Sequence, residues 1–465
     1  MRASHLTNRS KPICFSFTNN KFQSQMNNLK LAVLVISLSV MVGVRAAETD
    51  SILTLEHCIE ETLANNAAVR NAANNTKAAV ELHREAFTKY FPEVSATGVA
   101  FWTHNDVFQY NLLDIIEIGF INKGKMAGVQ AMQPVFMGGQ IISGNKLAAV
   151  GEDVARLRQQ QSNDELRLTT ESLYWKLVTL KATRCALEAA IATLDTLDNQ
   201  VKVAVDAGVA MNNDLLKVQL KRNTYRTEMV DLDNGIKLVK MLIGQYMGKG
   251  TDWNFDVAST VPEMIPDFPS KLYIPGANAL PMTVDYKLLQ KNVEAKKLEK
   301  RIEIGKNLPQ VALGAGWFYH DLLKQNHNFG ALMIGVNIPI SGWWGGSHAI
   351  KRKSLALENA RNELEDLGEK LEISMQDKWN NVTAAHRKME IAKEGVGEST
   401  ENLRLNRLYY EAGMSTITDV LEAEASHKES IDRYISAYGE FRVACSAYII
   451  STGQTDEDCK KMSNK

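Results

Sequence analysis

The sequence predicts a mainly α-helical protein in which each of two long helical hairpins follows a pair of β-strands. Three observations support this fold class: two long stretches without proline, an apolar repeat of seven residues, and a duplication of motifs at a constant spacing. A proline costs a helix interior about 3 kcal/mol or more. The ten prolines leave residues 135–261 and 340–465 free, so these two stretches are expected to hold the long helices.

Composition and apolar periodicity support both helices. Residues 145–207 contain a single glycine, Gly151, among many good helix formers. They predict a helix of about 60 residues, which at 1.5 Å per residue is roughly 90 Å long. The seven-residue repeat predicts helices packed side by side. Core packing between two helices of one chain accounts for any single stripe, so the stripes alone do not show a channel. The stripes are Leu187, Ile191, Leu194, Val201 and Val205, and then Met375, Val382, Met389, Val396, Leu403 and Tyr410.

The duplication keeps one spacing over a long part of the chain. Matching motifs stand 205 residues apart, which implies that both copies kept equal helix lengths. The pairs are Pro134 with Pro339, Ala207-Gly208 with Ala412-Gly413, and Asp214-Leu215-Leu216 with Asp419-Val420-Leu421.

Alternation with a period of two predicts strands before each helical hairpin. In the second copy, bulky apolar residues alternate with small or polar ones over 311–317 and 332–340. In the first copy the candidate strands are 94–108 and 125–135, and an apolar loop at 109–124 lies between them. An apolar face opposite a small or polar one suits a membrane barrel, and it suits a hairpin on a soluble core equally.

Four strands per chain are too few to close a barrel, since bacterial barrels have at least eight. Open sheet edges cannot face lipid, so several chains are expected to associate. Three chains give 12 strands, whereas two chains give eight with little room for a lumen.

The first 46 residues indicate export. Residues 31–44 form an apolar run of 14 residues, which fits a secretory signal and is too short to cross a membrane. This leader holds six Lys and Arg and no acidic residue, so 47 basic and 54 acidic residues follow it. The resulting net charge of −7 disfavours nucleic acid as a partner. Translation from Met26 is an alternative start. No cysteine follows the run, so lipidation is not expected; Cys58, Cys185, Cys445 and Cys459 are scattered, and a Cys445–Cys459 bridge is an alternative to free thiols.

Several short motifs, in this order, resemble the TolC-like outer-membrane efflux protein family over nearly the whole mature chain. They are Leu53-Thr-Leu-Glu-His-Cys-Ile59, Tyr90-Phe-Pro-Glu-Val94, Gln133-Pro-Val-Phe136 with Gly138-Gly139, Leu308-Pro-Gln-Val311, Ile338-Pro-Ile-Ser-Gly342 with Gly345-Gly346, and Tyr410-Glu-Ala-Gly-Met-Ser-Thr-Ile-Thr-Asp-Val-Leu-Glu-Ala423.

The resemblance implies a homotrimer with a 12-stranded barrel in outer-membrane lipid, continuous with a periplasmic α-helical barrel. It implies the passive exit duct of a tripartite efflux or type I secretion system, powered by an inner-membrane transporter through a periplasmic adaptor. The expected parts are a signal peptide (1–46), an N-terminal helix (47–91), a first β-hairpin (92–136), a first helical hairpin (137–248), an equatorial insert (249–281), a helix (282–308), a second β-hairpin (309–340), a second helical hairpin (341–450) and a tail (451–465).

The resemblance also assigns site residues. Asp419 and Glu422 match acidic residues that line the inner aperture, although a capping acid and a solvated charge explain them as well. Asp214 and Tyr410 match a gate contact whose hydrogen bond holds the closed state. Some relatives have Arg where this chain has Ser415, so that state is expected to be held differently. The remaining positions are the helix-tip turns Gly208 and Gly413, and the barrel–helix junctions Pro92, Pro134, Pro309 and Pro339.

Trp343 and Trp344 follow the last strand and are expected to be interfacial anchors or to pack on neighbouring helices. The sequence lacks nucleotide-binding, zinc-protease and nucleophile-elbow motifs, so no enzyme activity and no cofactor are expected. The nine histidines stand singly, and we interpret the nearest pair, His320 and His327, as solvated turn residues, with no metal site. The alternative function is a periplasmic coiled-coil spacer or adaptor without a channel.

Overall fold

The computed structural model describes residues 52–105, 108–112, 116–120, 123–321, 326–340 and 342–454. The expected signal peptide, the alternative start at Met26 and Cys459 lie outside these ranges. Most of the described chain is helical. The main helices are α1 (Leu55–Asn65), α2 (Ala67–Thr88), α3 (Gln140–Asp206), α4 (Asn212–Tyr246), α5 (Val284–Lys306), α6 (Gly342–Glu411) and α7 (Ile417–Ser451).

The two helical hairpins have nearly equal arms. Helices α3 and α6 have 67 and 70 residues, and α4 and α7 have 35 residues each. At 1.5 Å per residue the longer arms extend for about 100 Å. The residues of both predicted apolar stripes are buried or half-buried, so they pack the helices against one another as predicted. One cluster joins both hairpins, because Leu194 and Val218 of the first share it with Val420 of the second.

A four-stranded antiparallel sheet forms the other part of the molecule. Its order is β1-β4-β5-β6, so each predicted strand pair forms a hairpin and the two hairpins pair with each other through β4 and β5. The fold class is therefore confirmed as mainly helical with four strands in this sheet. The strands are β1 (Glu93–Trp102), β2 (Phe108–Leu112), β3 (Ile116–Phe120), β4 (Lys123–Met137), β5 (Gln310–Asp321) and β6 (Asn326–Asn337).

The sheet has one strongly apolar face. Directly paired residues share a face, and β5 pairs with β6 so that Leu313 opposes Ile334 and Ala315 opposes Leu332. The Leu332 side chain is 90% exposed, Ile334 75% and Trp317 63%. We call this the apolar face; its main residues are Val94, Val129, Val311, Leu313, Trp317, Leu332, Ile334 and Val336.

The region between β1 and β4 differs from the loop predicted at 109–124. Strands β2 and β3 pair with each other there as a separate antiparallel ladder, from Phe108 opposite Phe120 to Leu112 opposite Ile116. The apolar and β-branched content of this segment therefore reflects strand formation. The first predicted strand, 94–108, was also too long, since β1 ends at Trp102.

The segment between the two copies crosses from one helical hairpin to the other. Its first part places Phe255 and Val257 in a buried cluster with α3 and α4. Its second part packs Val261 and Leu272 against a cluster formed by α6 and α7. Both clusters lie near the middle of the long helices, so the insert ties the two hairpins together there. The Gln454 amide donates to the Leu272 carbonyl oxygen at 3.0 Å and joins the end of the described chain to this layer.

Among the helices in the described ranges, none is both long and apolar enough to cross a membrane. Cys58 and Cys445 are buried among apolar side chains, and burial raises the pKa of each thiol to about 12. Neither thiol is therefore ionised at neutral pH.

Candidate functional site at the helix tips

Both helical hairpins turn at a glycine in the left-handed conformation. Gly208 has φ of 76° and Gly413 has φ of 72°, as the predicted tip turns require. The amide of each glycine continues the helix end by donating to a carbonyl three residues earlier, on Val205 and Tyr410 respectively. The next residues, Val209 and Met414, are strongly exposed. Each tip therefore presents an apolar side chain to its surroundings.

Asp419 is held in the first turn of α7. The Asp419 carboxylate accepts from the Thr416 amide at 2.8 Å, the Thr416 hydroxyl at 2.7 Å and the Ser415 hydroxyl at 3.0 Å. Thr416 in return accepts from the Asp419 amide, which completes a capping box. These bonds lower the pKa of Asp419; the bond from the Thr416 amide contributes most, and the bonds from the two hydroxyls add to it. Its carboxylate is thus an exposed negative charge at the tip at neutral pH.

The corresponding turn of α4 is built differently. Met211 occupies the N-cap position that Thr416 has in α7, and it makes no side-chain cap. The Asp214 carboxylate, equivalent to that of Asp419, instead accepts from the Lys217 ammonium at 3.3 Å. Methionine offers no hydroxyl for the reciprocal bonds, so the two tips differ although their backbones match.

Lys217 also joins the first tip to the second. Its ammonium donates to the Thr418 hydroxyl of α7 at 3.1 Å. Ten residues further along α7, Lys428 forms an ion pair with Glu228 of α4 and another with Asp432 at 2.9 Å. These two cross-links, about 15 Å apart along α7, hold the hairpins of one chain together near their tips.

The predicted gate residues Asp214 and Tyr410 lie near each other. Tyr410 is half-buried against the cluster that joins the hairpins. Burial raises the pKa of Tyr410, and the negative charge of Asp214 raises it further. Lys217 also contacts Asp214, so a cation lies beside the two predicted gate residues.

Glu422 is exposed on the same helix as Asp419, three residues further on. Residues three apart on a helix lie on one face, so the two carboxylates project from the same side of the tip. Lys217 is the first-copy equivalent of Glu422, and its positive charge, paired with Asp214, offsets the negative charge of the first tip. The second tip is therefore the more acidic of the two.

An ion pair with a buried carboxylate lies just above the second tip. Arg407 of α6 donates to Glu424 of α7 at 2.9 Å, and the Glu424 side chain is almost fully buried. Burial raises the pKa of Glu424, although Arg407 opposes this effect. This pair was not predicted from the sequence; the available signal was a basic and an acidic residue on the two arms of one antiparallel hairpin, near its turn.

The four predicted junction prolines lie close to the strand–helix connections. Pro92 and Pro309 stand directly before β1 and β5, and Pro339 follows β6 by two residues. Pro134 lies inside β4, where the register with β5 shifts between Pro134 and Phe136. A proline cannot donate to the ladder, which explains why the strand is irregular there.

At the β4–α3 connection the backbone passes very close to the end of α5. Gly138 has φ of 60°, and a Cβ at this position would overlap the carbonyl oxygen of Gly305. Two glycines are thus required for this contact. Trp343 and Trp344 both lie in the first turn of α6; the Trp344 side chain is strongly exposed, and that of Trp343 lies outside the described side chains.

The arrangement of a four-stranded sheet followed by duplicated helical hairpins occurs in known proteins. The outer membrane protein VceC of Vibrio cholerae superposes with a TM-score of 0.72 at 15% identity, over 86% of this chain and 96% of VceC. The CmeC outer membrane channel of Campylobacter jejuni gives a TM-score of 0.72 at 11% identity, over 98% and 97% of the two chains. This chain has the TolC-like outer-membrane channel fold.

The TolC-like resemblance predicted from the motifs is therefore confirmed. The chain is also similar in sequence to the outer membrane efflux protein BepC of Brucella suis, with 23% identity over 339 residues, which are 71% of this chain and 72% of BepC. No protein-family model matches the sequence.

Proposed function

We propose that three copies of this chain form an outer-membrane efflux channel, with the sheets closing a 12-stranded barrel in lipid and the helical hairpins forming a duct in the periplasm. The observation that carries the proposal is the combination of an exposed apolar face with two open sheet edges. Among the residues that the structure describes, strands β1 and β6 each pair on one side only. In lipid the free backbone groups need partners, and pairing of β1 with β6 of the next copy supplies them.

The channel is a passive conduit in this proposal. An inner-membrane efflux or secretion transporter supplies the energy, and a periplasmic adaptor joins it to the tips. The exposed apolar side chains at the turns, among them Val209, Met211 and Met414, suit a protein partner at that end. Similarity to proteins described as efflux proteins and outer-membrane channels supports this role and favours no enzyme activity.

The tips supply the selectivity and the gate in this proposal. With threefold symmetry, Asp419 and Glu422 give six carboxylates around one aperture, which favours cations over anions. Asp214, Tyr410 and Lys217 lie where the two hairpins of a chain meet, so breaking their contacts allows the α6–α7 hairpin to move away from α3–α4. Trp343 and Trp344 remain proposed anchors at the membrane interface.

A matched pair of substitutions tests the membrane assignment. Leu332 lies on the apolar face, and its neighbour Ala331 lies on the other face. An arginine facing lipid costs about 2–4 kcal/mol at the membrane midplane. In the full-length protein, we expect Leu332→Arg to reduce the detergent-extracted trimer in the outer-membrane fraction by more than tenfold, and Ala331→Arg to leave it nearly unchanged.

The alternative, a periplasmic spacer without a channel, gives different results. Such a protein is recovered in the soluble periplasmic fraction and conducts no ions in a planar bilayer. Equal recovery of both variants in the membrane fraction, or a soluble wild-type protein, would contradict the channel.

A further inference from the structure

The face of the sheet opposite the apolar face carries a row of three metal-ligating side chains. His320 of β5 stands directly opposite His327 of β6 and directly opposite Met126 of β4. The two histidines are therefore strand residues, and their interpretation as turn residues was wrong. Side chains that oppose each other on adjacent strands have Cβ atoms about 4.5–5.5 Å apart. All three side chains thus converge on one area of the sheet.

The two imidazole rings are in position to share one ion. Their centroids are 5.6 Å apart with an interplanar angle of 38°. His320 is the central residue of the row, and its Nδ1 is buried with no hydrogen-bond partner in the described part of the chain. A buried ring nitrogen without a partner is costly, and a rotation of the ring toward a bound ion relieves that cost.

The third ligand is a thioether. Met126 is exposed on the flank of His320, and its three rotatable bonds let the sulfur reach toward the rings. The described residues contain no group of three or more His, Cys, Asp or Glu side chains that could hold a metal. The row differs from such groups because its third donor is sulfur without charge. Imidazole suits copper and zinc, whereas a thioether selects Cu(I).

An apolar layer lies beside the row. Phe318 and Phe329 occupy the next row toward the helices, with ring centroids 5.5 Å apart, and Phe329 also contacts the His320 ring at 6.1 Å. The Phe318 ring lies over Gly128, where a Cβ would be only 2.5 Å from it. Aromatic side chains therefore border the row on one side, and such an apolar border favours a soft ion over a strongly hydrated one.

We propose that Met126, His320 and His327 form a binding site for Cu(I). The row lies one residue from the end of β5 and one from the start of β6, at the end of the sheet remote from the helices. Its place on the inner wall near the outer mouth of a barrel rests on the proposed function, but the site itself needs only one chain. The three donors lie on an open sheet, so the ion exchanges readily, as conduction requires.

Silver(I), which is not redox-active here, is the probe for Cu(I). Titration calorimetry of the full-length protein in detergent, in nitrate buffer, is expected to give one Ag(I) per chain. We expect Met126→Leu to weaken Ag(I) binding by at least tenfold while it changes Ni²⁺ binding less than twofold. The double variant His320→Gln, His327→Gln is expected to lose both ions.

Two control variants keep the test specific. Met333→Leu removes another thioether from the same face, and His104→Gln removes an exposed histidine outside the row; both are expected to bind Ag(I) as the wild type does. Circular dichroism checks that every variant is folded. Ag(I) binding that is unchanged in Met126→Leu, or lost equally in Met333→Leu, would overturn the site.

The experiments distinguish failure of the Cu(I) site from failure of the proposed channel function. Binding of one Ag(I) per chain that depends on the row supports the site even if the protein forms no channel. In a working channel, Ag(I) is expected to reduce the single-channel current of the wild type and not that of the double histidine variant. If Ag(I) reduced the current of the wild type and of the double histidine variant equally, the row would not lie in the conduction path.

Discussion

Lys217 of the first helical hairpin donates a hydrogen bond to the hydroxyl of Thr418 in the second, at 3.1 Å. The same ammonium is 3.3 Å from the Asp214 carboxylate. One side chain therefore connects the predicted gate residue Asp214 to the first turn of α7, and it does so at the position where the second copy has Glu422. The duplication thus placed opposite charges at equivalent positions, and the two tips hold each other through that difference.

Removal of this cation is expected to loosen the tips. In Lys217→Met the bonds to Thr418 and Asp214 are lost, so we expect the mean single-channel conductance of the resting state to rise at least twofold. Planar-bilayer recordings measure it. Lys202→Met, which removes an exposed lysine of α3, is the control and is expected to conduct as the wild type does. Equal conductance in both variants would exclude Lys217 from the gate.

Loss of the acidic residues at the second tip is expected to change ion selectivity. Asp419→Ala combined with Glu422→Ala removes the proposed carboxylate ring, so cation preference and block by divalent cations should both fall. The reversal potential in a KCl gradient measures the change. Glu398→Ala removes an exposed charge about 20 Å away along α6 and should leave the potential unchanged. Glu422→Gln alone separates charge from capping, because Glu422 takes no part in the capping box. Unchanged selectivity in the double variant would reject the ring.

The different caps predict opposite effects of two reciprocal substitutions. Thr416→Val removes the capping box of α7 and should destabilise the second tip by about 1 kcal/mol. Met211→Thr supplies the missing hydroxyl next to Asp214 and should protect the first tip. Hydrogen exchange of tip peptides measures both effects, with peptides from the middle of α3 as the internal control. Protection that changes equally at both tips would contradict a local cap.

The lowered pKa of Asp419 adds a dependence on pH to that cap. A carboxyl group with a depressed pKa contributes stability above its unfolded pKa of about 3.9, and the contribution disappears as pH falls through the lower folded value. The difference in tip protection between Thr416→Val and the wild type is therefore expected to be larger at pH 7 than at acid pH, where only the bond from the Asp419 amide to the Thr416 hydroxyl remains. An equal difference at both pH values would contradict the ionised cap.

Glu424 should give the opposite pH dependence. Its pKa is raised by burial, so between about 4.3 and its folded pKa the folded state binds more protons than the unfolded one, and stability falls as pH rises. Glu424→Gln removes this effect. We expect the Tm of the variant minus that of the wild type to be more positive at pH 7.5 than at pH 5. Glu429→Gln, an exposed carboxylate paired with Arg433, is the control with no such trend. A constant difference across pH would contradict the assignment.

The sequence was sufficient for the helical part because its signals are local and repeated. Missing prolines and the repeats from Leu187 and Met375 define long packed helices, and Gly208 and Gly413 define their turns. The strands of the second copy followed from alternation, and their pairing placed Leu313 opposite Ile334 as that pattern requires. The β2–β3 ladder was missed although apolar residues alternate with polar or small ones in both strands, because each strand has only five residues and lies in a segment whose overall composition is apolar.

The contacts of the candidate site were harder to predict because they join distant segments. Lys217 contacts Thr418 across 201 residues, and Lys428 reaches Glu228 across 200. His320 and His327 were the nearest pair of histidines, but alternation within their segments was too short to place them on strands. Which residues oppose each other depends on the register, and the register depends on every pair along the hairpin.

The open edges of β1 and β6 have a genetic consequence. If each edge is completed by a neighbouring copy, normal and defective chains assemble into mixed trimers. A chain that assembles but cannot open then inactivates every trimer that contains it. With equal amounts of normal and defective chains, roughly one trimer in eight would consist of normal chains alone. A variant that locks its tips is therefore expected to be dominant over the normal copy, whereas a variant with a damaged strand edge drops out of assembly and is recessive.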